Sequence, residues 1–99
     1  MRVVLKASIP VECGNQAITD GSFAKLLTGF VERWNPEASY FFSEEGRRTC
    51  LFFLEMQDPS QLPLLTEPFF MGLKAQVTVT PAMDLRDVQS GIGRMLKSA

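Results

Sequence analysis

The segment TCLFFLEM, Thr49 to Met56, constrains the fold more than any other stretch of the chain. A strand with one face on a core and the other in water alternates apolar and polar residues. Here Cys50, Phe52, Leu54 and Met56 make one apolar face, and Leu51 and Phe53 make the other apolar too, until Glu55 interrupts it. Whatever this chain folds into must cover that strand on both sides. With 99 residues it is a single domain, 1–99, of a size that buries roughly 60–65% of its unfolded surface. One helical layer can cover one face, and the second face needs another cover.

The neighbouring segments define the plan. EASYFFSEEGRR breaks at Glu45-Gly46 between two β-rich runs, which is hairpin chemistry because Gly supplies positive φ. A two-residue loop sets Glu44 opposite Arg47. Ser39, Phe41 and Ser43 then share a face with Cys50, Phe52, Leu54 and Met56, while Ala38, Tyr40 and Phe42 share the other with Thr49, Leu51, Phe53 and Glu55. A one-residue bulge would exchange the two sets. RVVLKASI is a strand with Val3, Leu5, Ala7 and Ile9 on one side and Val4, Lys6 and Ser8 on the other, ended by Pro10. Phe23, Leu26, Leu27, Phe30, Val31 and Trp34 repeat at helical spacing, with Ser22 as N-cap, Asn35-Pro36 as stop and a further turn or two over Asn15 to Asp20. DPSQLPLLTEPFFMGL is a second helix, capped by Asp58 or Ser60, with the stripe Leu62, Leu65, Phe69 and Leu73; Pro68 predicts a kink or two short helices. In KAQVTVTP, Ala75, Val77 and Val79 oppose Gln76, Thr78 and Thr80. A last helix begins at Asp84 with the stripe Leu85, Val88, Ile92 and Met95. Its Gly91 and Gly93 each cost about 1 kcal/mol relative to Ala, so it needs something to pack on.

Strand, helix, strand, strand, helix, strand and a final helix make an α+β fold of the ferredoxin-like βαββαβ type with a C-terminal helix. The helices cover the face of Phe41, Cys50, Phe52, Leu54 and Met56. The other face keeps Tyr40, Phe42, Leu51 and Phe53 in its middle. Burying four such side chains is worth roughly 1.5–3 kcal/mol each, and an apolar patch of that kind marks an interface or ligand groove. The expectation is a homodimer through the sheet face, two sheets meeting in the dimeric α+β barrel arrangement, with the C-terminal helix able to reach across.

The motifs IPVECGNQAITDGS, PEASYFFSEEGRRT and DPSQLPLLTEPFF resemble those of an uncharacterised bacterial family of proteins of about this length. Its members carry I-P-V-E-x-G-N near the start, P-E-A-x-Y-F and G-R-R-T around the hairpin, and D-P-S…E-P-F-F in the second helix, over most of the chain. The resemblance implies a ferredoxin-like fold and brings no activity with it. More distantly, the architecture is similar to that of cofactor-free monooxygenases and lactone isomerases of the dimeric α+β barrel superfamily, whose motifs are not found here.

Net charge is −1 and the isoelectric point about 5.3, whereas binding a phosphate backbone needs clustered Lys and Arg. Nucleic acid and anionic membranes are therefore not expected partners. An RNA platform of βαββαβ order would also need an aromatic on the first strand, which has none. Two cysteines and no histidine rule out Ser-His-Asp and Cys-His catalysis within the chain, offer no metal site and fit reduced thiols. No glycine-rich phosphate loop appears, so no cofactor is expected. With no signal-peptide core and no run of transmembrane length, the expected compartment is the cytoplasm.

The residues left for chemistry are few. Glu55, amid Leu51, Phe53 and Tyr40 on the open face, is the candidate acid or base, against the plainer reading that it pairs with Arg2 or Lys6. Tyr40, Lys6 and Phe53 would line a pocket with it. Arg48, with Arg47, would clamp an anion, or be tied to Glu44 and Glu45. Glu67 beside Pro68 is a further ligand-binding candidate. Cys13, at a helix start, is a candidate reactive thiol. Three readings follow: a homodimeric module holding a small apolar ligand, a cofactor-independent enzyme of the monooxygenase or isomerase kind using Glu55 and Tyr40, and a purely structural interaction module.

Overall fold

Two consecutive positive-φ residues, Glu45 at 52° and Gly46 at 75°, turn the hairpin in the sense that matches strand twist. In the computed structural model, which describes residues 1–98, this hairpin joins β2 (Ala38–Glu44) to β3 (Arg47–Glu55). Glu44 faces Arg47 and Tyr40 faces Leu51, the register of a bulge-free two-residue loop. β1 (Arg2–Ile9) lies on the other side of β3 and β4 (Gln76–Pro81) beyond β1, giving the order β2-β3-β1-β4 with every pairing antiparallel. Helices α1 (Val11–Asp20), α2 (Ser22–Trp34) and α3 (Leu62–Leu73), the last entered through a 3-10 turn at Pro59–Gln61, complete the body, and α4 (Leu85–Ser98) follows β4. The molecule is α+β with a four-stranded antiparallel sheet and four helices, an arrangement compatible with the ferredoxin-like plan.

One sheet face carries the core. Val3, Leu5, Ala7, Ile9, Cys50, Phe52, Leu54 and Met56 are buried there, together with Phe30 of α2 and Leu65, Phe69 and Leu73 of α3. Phe30 stands 4.6 Å from Phe52 and 5.0 Å from Phe69, centroid to centroid, so an aromatic cluster pins both helices to the central strand. Phe41 shares this face, with its ring 5.8 Å from that of Phe52. On edge strand β2, beyond the helices, it stays 53% exposed, against the expectation that it lies beneath them.

Several local expectations are corrected. α1 begins at Val11, straight after Pro10, rather than at Asn15, because the φ of −56° that ends a strand at proline also suits a helix start. Ser22 does not cap α2: Gly21 occupies the cap with φ 83°, and the Ser22 N–H donates to the Asp20 carboxylate at 2.8 Å. α3 runs through Pro68 as one assigned helix, not two. Asp58 does cap its turn, accepting the Ser60 N–H at 2.9 Å.

α4 stands apart. Asp84 accepts the Asp87 N–H at 2.9 Å and donates its own N–H to the Asp87 carboxylate at 3.1 Å, a reciprocal cap that starts the helix. None of its described residues is buried, and it packs along no other element. The molecule measures 55 × 28 × 19 Å with a radius of gyration of 16.0 Å, where a compact chain of this length has about 13 Å. The longest strand spans about 30 Å and α4 about 21 Å, so the helix continues past the end of the sheet instead of lying over it.

Candidate functional site

Strand alternation sends Val4, Lys6, Ser8, Tyr40, Phe42, Glu44, Thr49, Leu51, Phe53 and Glu55 to the face that α1, α2 and α3 leave open. Tyr40 is 58% and Phe42 41% exposed, and Val4, Leu51 and Phe53 are half-buried. The apolar part is one strip. Phe53 lies between Ala38 and Val4, and Leu51 between Tyr40 and Lys6. Gln76, Thr78 and Thr80 of β4, beside Lys6 and Ser8, make the rest of the face polar. The sheet is thus divided lengthwise, greasy over β2 and β3 and polar over β1 and β4.

Ion pairs stand at both ends of the strip. At the hairpin end Lys6 reaches over β3 to Glu44 on β2, Nζ to Oε2 2.5 Å. Their path crosses Thr49, which explains why a residue of the open face is only 2% exposed; its hydroxyl donates to the Arg47 carbonyl at 3.2 Å. At the opposite end the Met1 ammonium holds Glu55 at 2.6 Å, and Arg2 pairs with Glu37 and approaches Asp84 at 3.7 Å and Asp87 at 3.9 Å. Asp84 is held below the usual carboxylate range, first by the Asp87 amide and then by Arg2.

The proposed chemical residues do not converge. The Glu55 side chain is 65% exposed and takes neither Arg2 nor Lys6 as partner. Tyr40 pairs with Leu51, four residues before Glu55 on β3, which separates the two by about 13 Å along the strand. The expected pocket residues line separate hollows: Lys6 one of about 330 Å³ with Ser8, Glu44, Glu45, Gln76 and Thr78, Phe53 one of about 260 Å³ with Ala38 and Met83, and Glu55 one of about 430 Å³ with Met1, Arg2 and Asp84. The walls of the Lys6 hollow are polar, made of charged, hydroxyl and amide side chains, with no aromatic among them.

Arg48 and Glu67 lie elsewhere. Even-numbered positions of β3 face the helices, so Arg48 turns under α1, donating from Nη2 to the Asn15 side chain at 3.0 Å and from Nη1 to the Val11 carbonyl at 3.4 Å. It is not tied to Glu44 or Glu45. Gly14 makes this possible, because a Cβ there would stand 2.7 Å from Nη1. The IPVECGN and GRRT motifs therefore meet in space at a guanidinium. Glu67 is exposed on α3, in the helical layer. Nearby, α2 and α3 leave a more apolar hollow of about 240 Å³ lined by Leu26, Phe30, Trp34, Leu64 and Pro68 with Lys25 and Arg33, which periodicity did not reveal because Leu26, Phe30 and Trp34 read as core and Leu64 lies outside the α3 stripe. Cys13 is half-buried; Cys50 is buried, and burial pushes its thiol up to about 11. Among the described residues no group of His, Cys, Asp or Glu is placed to hold a metal, and no helix is long and apolar enough to cross a membrane.

The chain matches no protein-family model, no curated protein and no solved structure with which it was compared.

Proposed function

We propose that the chain is a self-associating interaction module whose open sheet face is covered by a second copy. The observation that carries this reading is the uncovered strip of Tyr40, Phe42, Leu51 and Phe53 between two sets of ion pairs. An apolar middle with a charged rim is the anatomy of a protein interface. Covering four such side chains is worth roughly 1.5–3 kcal/mol each. Tyr40 and Phe42 are about half exposed and Leu51 and Phe53 less, so the gain still available, counted on both protomers, is roughly 5–10 kcal/mol, of the same order as an association cost of about 4–15 kcal/mol. Proton chemistry has less support, since Glu55 and Tyr40 are apart. Storage of a small apolar ligand has less too, since the two larger hollows along this face, beside Lys6 and beside Glu55, are rimmed by charged side chains.

Sedimentation equilibrium of the wild type and Phe53→Glu tests the proposal. Phe53 is half-buried at the surface of the sheet, so the variant should keep its circular dichroism and sediment as a monomer where the wild type is a dimer. A monomeric wild type, or a variant that remains dimeric, refutes it.

A further inference from the structure

Two apolar surfaces of this chain lack a partner. The first is the strip over β2 and β3. The second is the stripe of α4, where Leu85 is 71%, Ile92 49%, Met95 60% and Leu96 68% exposed, and Val88 is half-buried. At 3.6 residues per turn these five side chains fall within an arc of about 100°, the width of a face that packs on something. Arg86, Ser90, Arg94 and Lys97 lie on the opposite side.

The dimensions of the two surfaces agree. Two strands at about 4.8 Å spacing make a strip roughly 10 Å wide, which is the width of one helix with its side chains. A second sheet laid squarely on the open face would also cover Lys6, Ser8, Gln76, Thr78 and Thr80, which have little apolar surface to offer it. A helix on β2 and β3 covers the greasy half alone.

The helix does not reach this strip in its own chain. The Ala82 N–H donates to the Arg2 carbonyl at 3.1 Å, and Arg2 approaches Asp84 and Asp87 at 3.7 and 3.9 Å. Only Ala82, Met83 and Asp84 separate β4 from α4. These ties aim the helix past the far end of the sheet, away from the hairpin.

We infer that the two copies exchange their C-terminal helices: α4 of each seats its Leu85, Val88, Ile92, Met95 and Leu96 stripe on the β2–β3 strip of the other. This rests on the self-association proposed above and specifies which element of the second copy supplies the cover. Nine side chains with about 100 Å² each still exposed, seated twice, bury on the order of 1,800 Å², the size of a stable dimer interface.

Two measurements test the exchange. In the first, full-length chains carrying Cys13→Ser and either Tyr40→Cys or Ile92→Cys, one of them tagged to change its mass, are mixed and treated with a short bismaleimide. A covalent product of one chain of each kind is expected. Linkage within a single chain carrying both substitutions, or linkage of Tyr40→Cys chains only to each other as a sheet-on-sheet seal requires, overturns the exchange. In the second, Ile92→Glu is compared with Phe53→Glu by sedimentation. Ile92 is half-exposed on a helix packed on nothing, so the protomer keeps its fold, and dimerisation should weaken at least tenfold. A dimer lost in Phe53→Glu but unchanged in Ile92→Glu overturns the exchange and leaves self-association standing; no effect of either substitution overturns both.

Discussion

Gly14→Ala tests how the two halves of the motif set are joined. Gly14 is the fourth residue of α1, where alanine is favoured over glycine by about 1 kcal/mol. Against that gain, the new methyl would stand 2.7 Å from Arg48 Nη1 and 3.5 Å from its Cδ. The guanidinium must swing away, giving up the Asn15 side chain at 3.0 Å and the longer contact with the Val11 carbonyl at 3.4 Å. Both bonds lie near the surface, so together they are worth about 1 kcal/mol. The two effects nearly cancel, and Gly14→Ala alone should change stability by less than about 0.5 kcal/mol. In an Arg48→Ala background only Ile9 Cγ2, at 3.4 Å an ordinary contact, stands near the methyl, and the same substitution should stabilise by about 1 kcal/mol. The informative quantity is therefore the coupling, about 1 kcal/mol, from urea unfolding of the four proteins of the double-mutant cycle. If Gly14→Ala stabilises by the full propensity difference while Arg48 is present, the guanidinium does not occupy that space and the account of the motif fails.

Two further outcomes concern ionisation. The Cys50 thiol is pushed up to about 11 by burial, from an ordinary 9.0; a group whose folded pKa is raised loses its contribution as pH rises, so stability should fall between pH 9 and 11, by about 1.4 kcal/mol at pH 10. Cys50→Ala should remove that slope in urea unfolding at successive pH values, and a slope that persists would assign it to other groups. Asp84, held low by the Asp87 amide and then by Arg2, should support the start of α4 at all pH above the ordinary carboxylate range and release it as pH falls through its own lowered pKa. Far-UV circular dichroism of Asp84→Ala should lack this acid transition; an identical transition in the variant would remove Asp84 from the cap.

Much of the fold was legible because local chemistry and tertiary packing agree. Glu45-Gly46 dictates a two-residue turn, that turn fixes the register, and the register assigns every side chain of β2 and β3 to a face. Leu65, Phe69 and Leu73 were legible from spacing alone, since one stripe meets one core. The misjudged positions are those where a residue's partner is distant in sequence. Arg48 was read against its neighbours Glu44 and Glu45, whereas strand alternation carries it to Asn15, 33 residues earlier. Glu55 was read against Arg2, its partner across the ladder, but Arg2 is drawn away by Glu37, Asp84 and Asp87. Ser22 has the right chemistry for a cap, yet Gly21 in the left-handed region ends α1 and starts α2 in one residue, leaving Asp20 to hold the amide.

The candidate surface was legible for a different reason. No sequence gives β3 two apolar faces without a second layer to meet them, because each exposed aromatic costs the folded chain its transfer free energy. The helical layer accounts for Phe52 and its row. For Leu51 and Phe53 the chain has one remaining amphipathic element, α4, and the ties from Arg2 to Asp84 and Asp87 turn it outward. A helix with glycines at positions 91 and 93 is marginal alone in water, so its stripe is of use only where another surface completes it. The proposed exchange joins the two: an apolar strip one helix wide and an apolar helix pointed off the molecule, which a single copy of the chain holds too far apart to meet.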